Sequence, residues 1–285
     1  MRRSVTVTFV LLLLMLSMAP PARAGGGGFF SNHCELSHRA KDDPIVHPGD
    51  PGAGEQHDFI GNRSTDAFSK RRTMVGARTS CDLSADTSAY WTPTLLDDAG
   101  NPVPILEVLV YYRAAENTVV QPFARNLKII TGGDTTDPPA PSRSQMSLSW
   151  ACGDTAPYTA SPPNCTGTGW YVSAHVHFPD CWDGQNKDSE DHRSHMVFGT
   201  PECPPGWVAV PRLRLHVKYD VIDARGFMLS SDIMLGTPSG HSLHADFWNT
   251  WDQSALRFLV DRCVNAGQAC SEMTDAKLRA MGFHG

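Results

Sequence analysis

Two stretches decide the fold: WYVSAHVHF at Trp170–Phe178 and PRLRLHVKYD at Pro211–Asp220. In the first, Val172, Ala174, Val176 and Phe178 share one face, and Tyr171, Ser173, His175 and His177 share the other. In the second, Leu213, Leu215, Val217 and Tyr219 oppose Arg212, Arg214, His216 and Lys218. A period of two marks a strand with one dry and one wet side, and antiparallel sheets provide that setting. Ile105–Tyr112, rich in β-branched and aromatic residues, adds a third strand. Gln253–Val264 is the one strong helix, with Ala255, Leu256, Leu259, Val260 and Cys263 as its apolar stripe and Asp252 placed to cap it. Thr274–Met281 reads as a short terminal helix. The Pro-rich runs Asp134–Pro141 and Pro157–Pro163 read as surface loops. Without βαβ alternation a parallel sheet is not expected. The fold class is therefore mainly β: an antiparallel sandwich or jelly-roll-like body with long loops and a C-terminal helix.

Outward from those strands, the chain has 285 residues, 41% of them hydrophobic, with 7 Trp and 12 Phe, so it can bury a core. Residues 1–24 read as a secretory signal peptide. Arg2 and Arg3 form the basic region, Phe9–Leu16 the apolar one, and Ala22-Arg23-Ala24 the small-x-small cleavage pattern. The apolar run is shorter than the roughly 20 residues of a bilayer span. The expectation is a secreted protein, extracellular or cell-wall associated, with no membrane contact after cleavage. Residues 25–42, opening on Gly25–Gly28, are expected to be a flexible N-terminal segment, and 43–285 a single domain. Cleavage removes Arg2, Arg3 and Arg23 and no acid, moving the net charge from -6 to -9. Such a chain has no general attraction for nucleic-acid phosphates.

All 8 Cys follow the signal: Cys34, Cys81, Cys152, Cys165, Cys181, Cys203, Cys263 and Cys270. An even count in an exported chain argues for disulfides, although sequence alone allows about a hundred pairings. Sequential pairing (34–81, 152–165, 181–203, 263–270) closes the shortest loops. A zinc site is the competing reading, but no C-x-x-C pair occurs.

Three loop-like segments concentrate imidazoles with carboxylates: Glu55–Asn62, Pro179–Met196 and His241–Phe247. His57, His192, His195 and His244 are the core candidates. Neutral imidazole ligates metals, and imidazole near its pKa moves protons at neutral pH. Asp58 and Asp246, close in sequence to His57 and His244, are placed to orient them or to complete a metal's ligands. Three readings stay open: a catalytic His/carboxylate site, a divalent-metal site on the four histidines, and a hydrogen-bonded network that locks long loops. Asp180 and Asp183 flank Trp182; they suit an acid–base pair on a glycosidic bond with a stacking ring, or a tight turn closed by Gly184. His175 and His177 share a strand face, as metal-binding pairs do and as wet faces do by chance. Ser194 lacks a nucleophile elbow. Asn62-Arg63-Ser64 and Asn164-Cys165-Thr166 match the glycosylation pattern.

The order of Asp43-Pro44-Ile45-Val46, His57-Asp58-Phe59, Gly61-Asn62, Tyr90-Trp91-x-Pro93, Phe178-Pro179-Asp180-Cys181-Trp182-Asp183-Gly184, Asp191-His192-Arg193-Ser194-His195-Met196 and His244-Ala245-Asp246-Phe247 resembles the secreted DUF1996 family, from about Asp43 to Cys270. Some relatives carry a WSC carbohydrate-binding module, which implies a role at polysaccharide or cell-wall surfaces. Related sequences usually read S-H-x-H-D-F; here Gly54 and Glu55 stand at the Ser and first His positions, so a role requiring that first His does not carry over, while Glu55 remains able to ligate or to act as a base.

The leading expectation is a carbohydrate-active protein that cleaves or binds an extracellular or cell-wall polysaccharide. His57, His195 and His244 would exchange protons, with His192 beside them and Asp58 and Asp246 orienting them. Trp182, Asp180, Asp183 and Asn62 would contact the sugar. The alternatives are a non-catalytic wall-associated protein and a metal-dependent hydrolase using His57, His192, His195 and His244.

Overall fold

The computed structural model describes residues 27–114, 118–133, 147–199 and 202–285. The expected signal peptide and the Asp134–Pro141 loop lie outside them. In chain order the strands are β1 (Phe29–Cys34), β2 (Leu36–Ala40), β3 (His57–Gly61), β4 (Ala89–Pro93), β5 (Leu95–Leu96), β6 (Ile105–Arg113), β7 (Lys128–Gly132), β8 (Leu148–Cys152), β9 (Thr155–Thr159), β10 (Val172–His177), β11 (Cys181–Trp182), β12 (Met196–Val197), β13 (Val208–Ala209), β14 (Arg212–Tyr219), β15 (Met228–Leu229), β16 (His244–Trp248) and β17 (Ala269–Met273).

Two sheets make the body. The larger has the order β17-β1-β6-β14-β10-β8-β9 and the smaller β2-β3-β4-β16-β7. Pairing is antiparallel except where β1 meets β17. Alternation puts Val108, Val110 and Tyr112 of β6, Leu213, Leu215, Val217 and Tyr219 of β14, and Val172, Ala174 and Val176 of β10 into one buried cluster with Ile60, Tyr90, Ile129, Ala245 and Phe247 of the smaller sheet. That is a sandwich core, built by the period-two strands the sequence announces.

A polar network runs through this core. Tyr90 and Tyr112 share a hydroxyl hydrogen bond of 2.5 Å, and the Trp251 indole donates to Tyr112 at 2.8 Å. Asp86 accepts from the Tyr90 hydroxyl at 2.8 Å and from the Asn32 amide at 2.9 Å. The four disulfides are the sequential set: Cys34–Cys81, Cys152–Cys165, Cys181–Cys203 and Cys263–Cys270.

The helical expectations hold with one refinement. The helix Gln253–Leu259 continues through Val260–Val264 as a π-helical turn, and Asp252 accepts from the N–H groups of Ser254 and Ala255 at 2.8 and 3.0 Å. A last helix covers Asp275–Ala280.

Three expectations are corrected. Pro157, Tyr158 and Thr159, placed in a surface loop, belong to β9 at the edge of the larger sheet. Phe29–Ala40, placed in the flexible segment 25–42, forms β1 and β2. β1 lies inside the larger sheet between β17 and β6, with Phe30 and Cys34 fully buried. Phe30 stacks on Tyr112 at 4.4 Å and Cys34 is bridged to Cys81, so this stretch is held by side chains behind the glycine run. The face of β10 and β14 expected to be wet is partly sealed: His175 and His216 are 1% and 4% exposed.

Candidate functional site

On the smaller sheet's outer face, Phe59, Trp91, Asp246 and Ile130 stand side by side across β3, β4, β16 and β7. Phe59, Ala89, Trp91, Ile130 and Trp248 form a second apolar cluster with Ile45 and Met74. Asp246 is therefore a carboxylate set in an apolar row. One step toward the sheet end, His57 pairs with Pro93 and His244 with Gly132. The two imidazoles meet with centroids 5.7 Å apart. The connection 41–56 between β2 and β3 adds Asp43, whose carboxylate caps the N–H groups of Ile45 and Val46, and Glu55. Gly133 leaves room for the ring: with φ +72, a Cβ there would lie 3.2 Å from His244 Nδ1.

The Nδ1 atoms fix both tautomers. His57 Nδ1–H donates to the Asp42 carbonyl at 3.0 Å, and His244 Nδ1–H donates to the Ser242 carbonyl at 2.9 Å. In the neutral rings each Nε2 is then a lone pair. These atoms lie 3.4 and 3.2 Å from the same Glu55 oxygen, and His244 Nε2 lies 3.8 Å from Asp246. His57 Nε2 and both Asp246 oxygens are buried without a hydrogen bond. Donor atoms of Glu55, His57 and His244 fall within 4.8 Å of one another, as do those of Asp43, His57 and Asp246. His57 and Asp246 are sealed, while the Glu55 and His244 side chains remain 12% exposed, so the centre opens on their side.

The electrostatics follow from that burial. For Asp246, burial and then the charge of Asp43 push the carboxyl well above its usual range, against Arg193. For Glu55, burial raises the pKa, but the 3.4 Å contact and charge of His57 and the charge of His244 outweigh it and hold the carboxyl at about 2. Burial lowers His57, and Glu55 more than reverses this, so His57 is raised. Burial, then the charge of His57, lowers His244.

The other expected site residues do not join this centre. Asp58 follows His57 on a strand and so points into the sandwich. There it pairs with Arg39 at 2.5 Å and accepts from Thr94 at 2.9 Å, which corrects its role as the orienter of His57. His195 is buried and used at both nitrogens, against Ser189 Oγ at 2.8 Å and the Lys128 carbonyl at 2.7 Å. Lys128 is four residues from Gly132 on β7, about 13 Å along the strand. His192 pairs with Asp188 at 2.7 Å. These two histidines anchor the 183–196 loop rather than sharing the His57–His244 centre. Asp180 binds Arg212 and the Gly199 N–H. Asp183 caps a turn by accepting from the N–H groups of Gln185 and Asn186, with Gly184 at φ 78, so the turn reading of this pair holds. Trp182 donates to the Asn186 carbonyl at 2.6 Å, and Lys187 Nζ sits 4.0 Å over its ring. Asn62 is fully buried and donates to the carbonyls of Met74 and Thr87, which leaves nothing to offer a sugar.

Sequence reasoning missed Asp43 as a donor and reached Glu55 only as a stand-in for an imidazole. The signal for Asp43 was its motif with Pro44, Ile45 and Val46, which marks the loop over the apolar cluster.

The fold and site together define a disulfide-bonded β-sandwich with a buried imidazole–carboxylate centre on the outer face of its smaller sheet. Residues 43–251 match the family described as Domain of unknown function (DUF1996), and the chain belongs to that family. No curated protein and no solved structure matches the chain.

Proposed function

We propose that this protein is a secreted, metal-dependent hydrolase of an extracellular or cell-wall polysaccharide. Its cation is held by Glu55, His57 and His244, with Asp43 and Asp246 beside it. One observation carries this reading. Nε2 of His57 and Nε2 of His244, lone pairs when the rings are neutral, converge on one Glu55 oxygen, beside Asp246, whose carboxyl oxygens have no hydrogen bond. Acceptors facing acceptors in a buried place repel unless a cation or a proton sits among them. Two imidazoles and a carboxylate are the donor set of catalytic zinc sites, which leave a position for water. A divalent cation held by Glu55, His57 and His244 would supply activation of a bound water at neutral pH. Four disulfides support an oxidising, extracellular setting. The polysaccharide substrate rests on the family resemblance.

A second reading places a proton where the first places a cation. The 3.4 Å contact of His57 with Glu55, which raises the one and lowers the other, favours acid–base chemistry without a metal. Metal content and product release of the purified protein, with and without chelator, on a panel of polysaccharides separate the two. About one divalent ion per chain, and product release abolished by chelator and by His244→Ala, support the metal reading. Release that is indifferent to chelator but lost in His244→Ala moves the proposal to the acid–base reading. No ion and no product would leave a non-catalytic wall-associated protein.

A further inference from the structure

On the far side of the sandwich, the outer face of the larger sheet gathers guanidinium groups. Arg113 of β6 stands directly opposite Arg212 of β14, and in the next row on that face Tyr111, Arg214 and His177 align across β6, β14 and β10. Arg212 is neutralised by Asp180, at 2.9 and 2.6 Å. Lys218, further along β14, pairs with Glu107 at 3.1 Å. Among the described residues, no carboxylate lies within ion-pair distance of Arg113 or Arg214. Arg214 spends one Nη on His175 Nδ1, and the opposite nitrogen of that ring donates to the Gly153 carbonyl. Arg214 Nε is buried with no acceptor.

Aromatic rings wall the same place. The guanidinium carbon of Arg214 is 5.9 Å from the Tyr111 ring and that of Arg113 is 5.7 Å from the Phe29 ring, with the two rings 6.0 Å apart. Arg113 is exposed, and Tyr111, His177 and Arg214 are half-buried, so the face is reachable. Asp180 neutralises Arg212, and Asp154 pairs with His216, which stacks on His175 beside Arg214; Asp154, Glu272 and Glu107 act on Tyr111 across the face, so it is Arg113 and Arg214 that remain without an ion-pair partner among the described residues. A chain of net charge -6 has no general reason to assemble them. His177 reports the field: burial, then Arg214 and Arg212, push it down to about 3.

We infer that this face binds a carboxylate-bearing polysaccharide, a uronate-containing glycan. Arg113 and Arg214 grip the uronate carboxylate, and Tyr111 and Phe29 pack against the sugar ring. Planar guanidinium matches planar carboxylate in a bidentate pair, which exposed Arg113 offers, while Arg214, with Nε buried and one Nη on His175, adds its other Nη; aromatic faces accept the apolar side of a pyranose. This site is independent of the His57–His244 centre, which lies on the other sheet.

Affinity electrophoresis of the whole chain in gels containing polygalacturonate, neutral β-glucan or dextran sulfate tests it. The parent is retarded by polygalacturonate, more weakly by dextran sulfate, and not by the neutral glucan. Arg113→Gln and Arg214→Gln each weaken the polygalacturonate interaction at least about tenfold, the worth of one charge-assisted hydrogen bond. Arg113 is exposed, so Arg113→Gln keeps the test valid if Arg214→Gln fails to fold. Both variants keep the divalent-ion content of the parent, which separates this test from that of the proposed function. Absence of retardation by polygalacturonate at low salt, equal retardation of parent and Arg113→Gln, or stronger retardation by dextran sulfate would each overturn the inference.

Discussion

At His57 and His244, the choice of nitrogen decides the chemistry. Each ring gives its Nδ1–H to a backbone carbonyl and turns Nε2 inward, an arrangement in which an outer partner fixes a metal-ligating imidazole. Removing one inward donor therefore weakens cation binding while leaving the sheet intact. Glu55→Gln and His244→Ala are each expected to lower affinity for a divalent cation by about 100-fold or more in calorimetric titration. Unchanged affinity in both would remove these residues from the site. Asn62 gives the contrasting case, a polar residue that acts on stability alone. Its amide satisfies the carbonyls of Met74 and Thr87 in a fully buried place. Asn62→Ala is expected to cost about 3 kcal/mol in urea unfolding, because two buried acceptors lose their donor; a loss under about 1 kcal/mol would contradict that account.

Strand periodicity explains which site residues were legible. His244 and Asp246 are two apart on β16 and share a face, so reading them together succeeds. His57 and Asp58 are adjacent on β3 and face opposite ways, so reading them together fails. The strands of the two quoted stretches were legible because both alternate over their full length. β1 was not, because Ser31, Asn32 and His33 are polar in a row and the partners that bury it, β6 and β17, are distant in sequence. Asp43 escaped because loop 41–56 carries no periodic signal that would aim a side chain.

The elements also set a pH response. Asp86 lies where β1, β4 and β6 meet, facing Asn32, Tyr90 and Tyr112, and burial pushes it up to about 7. In the unfolded chain it titrates near 4 (about 3.9). Between those values the folded state holds a proton that the unfolded state has released, so this contribution to stability falls as pH rises from about 4 to about 7 and is level above. Asp86→Asn removes the slope. The stability of the variant relative to the parent should therefore increase from pH 4.5 to pH 7.5, and a constant difference would show that Asp86 is charged in the fold.

For the molecule as a whole, four disulfides close loops of unequal length. Cys34–Cys81 spans 47 residues and Cys263–Cys270 spans 7. By chain entropy, deleting the first bridge as a Cys→Ala pair is expected to cost about 2 kcal/mol more than deleting the second. Equal costs would mean that the unfolded chain is already organised around Cys34. The sandwich that these bridges staple presents two chemically different outer faces: the smaller sheet carries the largely buried imidazole–carboxylate centre, open on the Glu55 and His244 side, and the larger sheet carries the guanidinium face. The overall architecture was legible from alternation and cysteine count, whereas the division of labour between faces was not, because it depends on which strands from distant parts of the chain become neighbours. The claim on which the functional account rests is that a cation belongs among Glu55, His57 and His244. Crystals grown with zinc, measured at the zinc absorption edge, test it directly. The account predicts one anomalous peak about 2.0–2.2 Å from both Nε2 atoms and a Glu55 oxygen. A map with no peak there, or with zinc only on surface groups elsewhere, would contradict it.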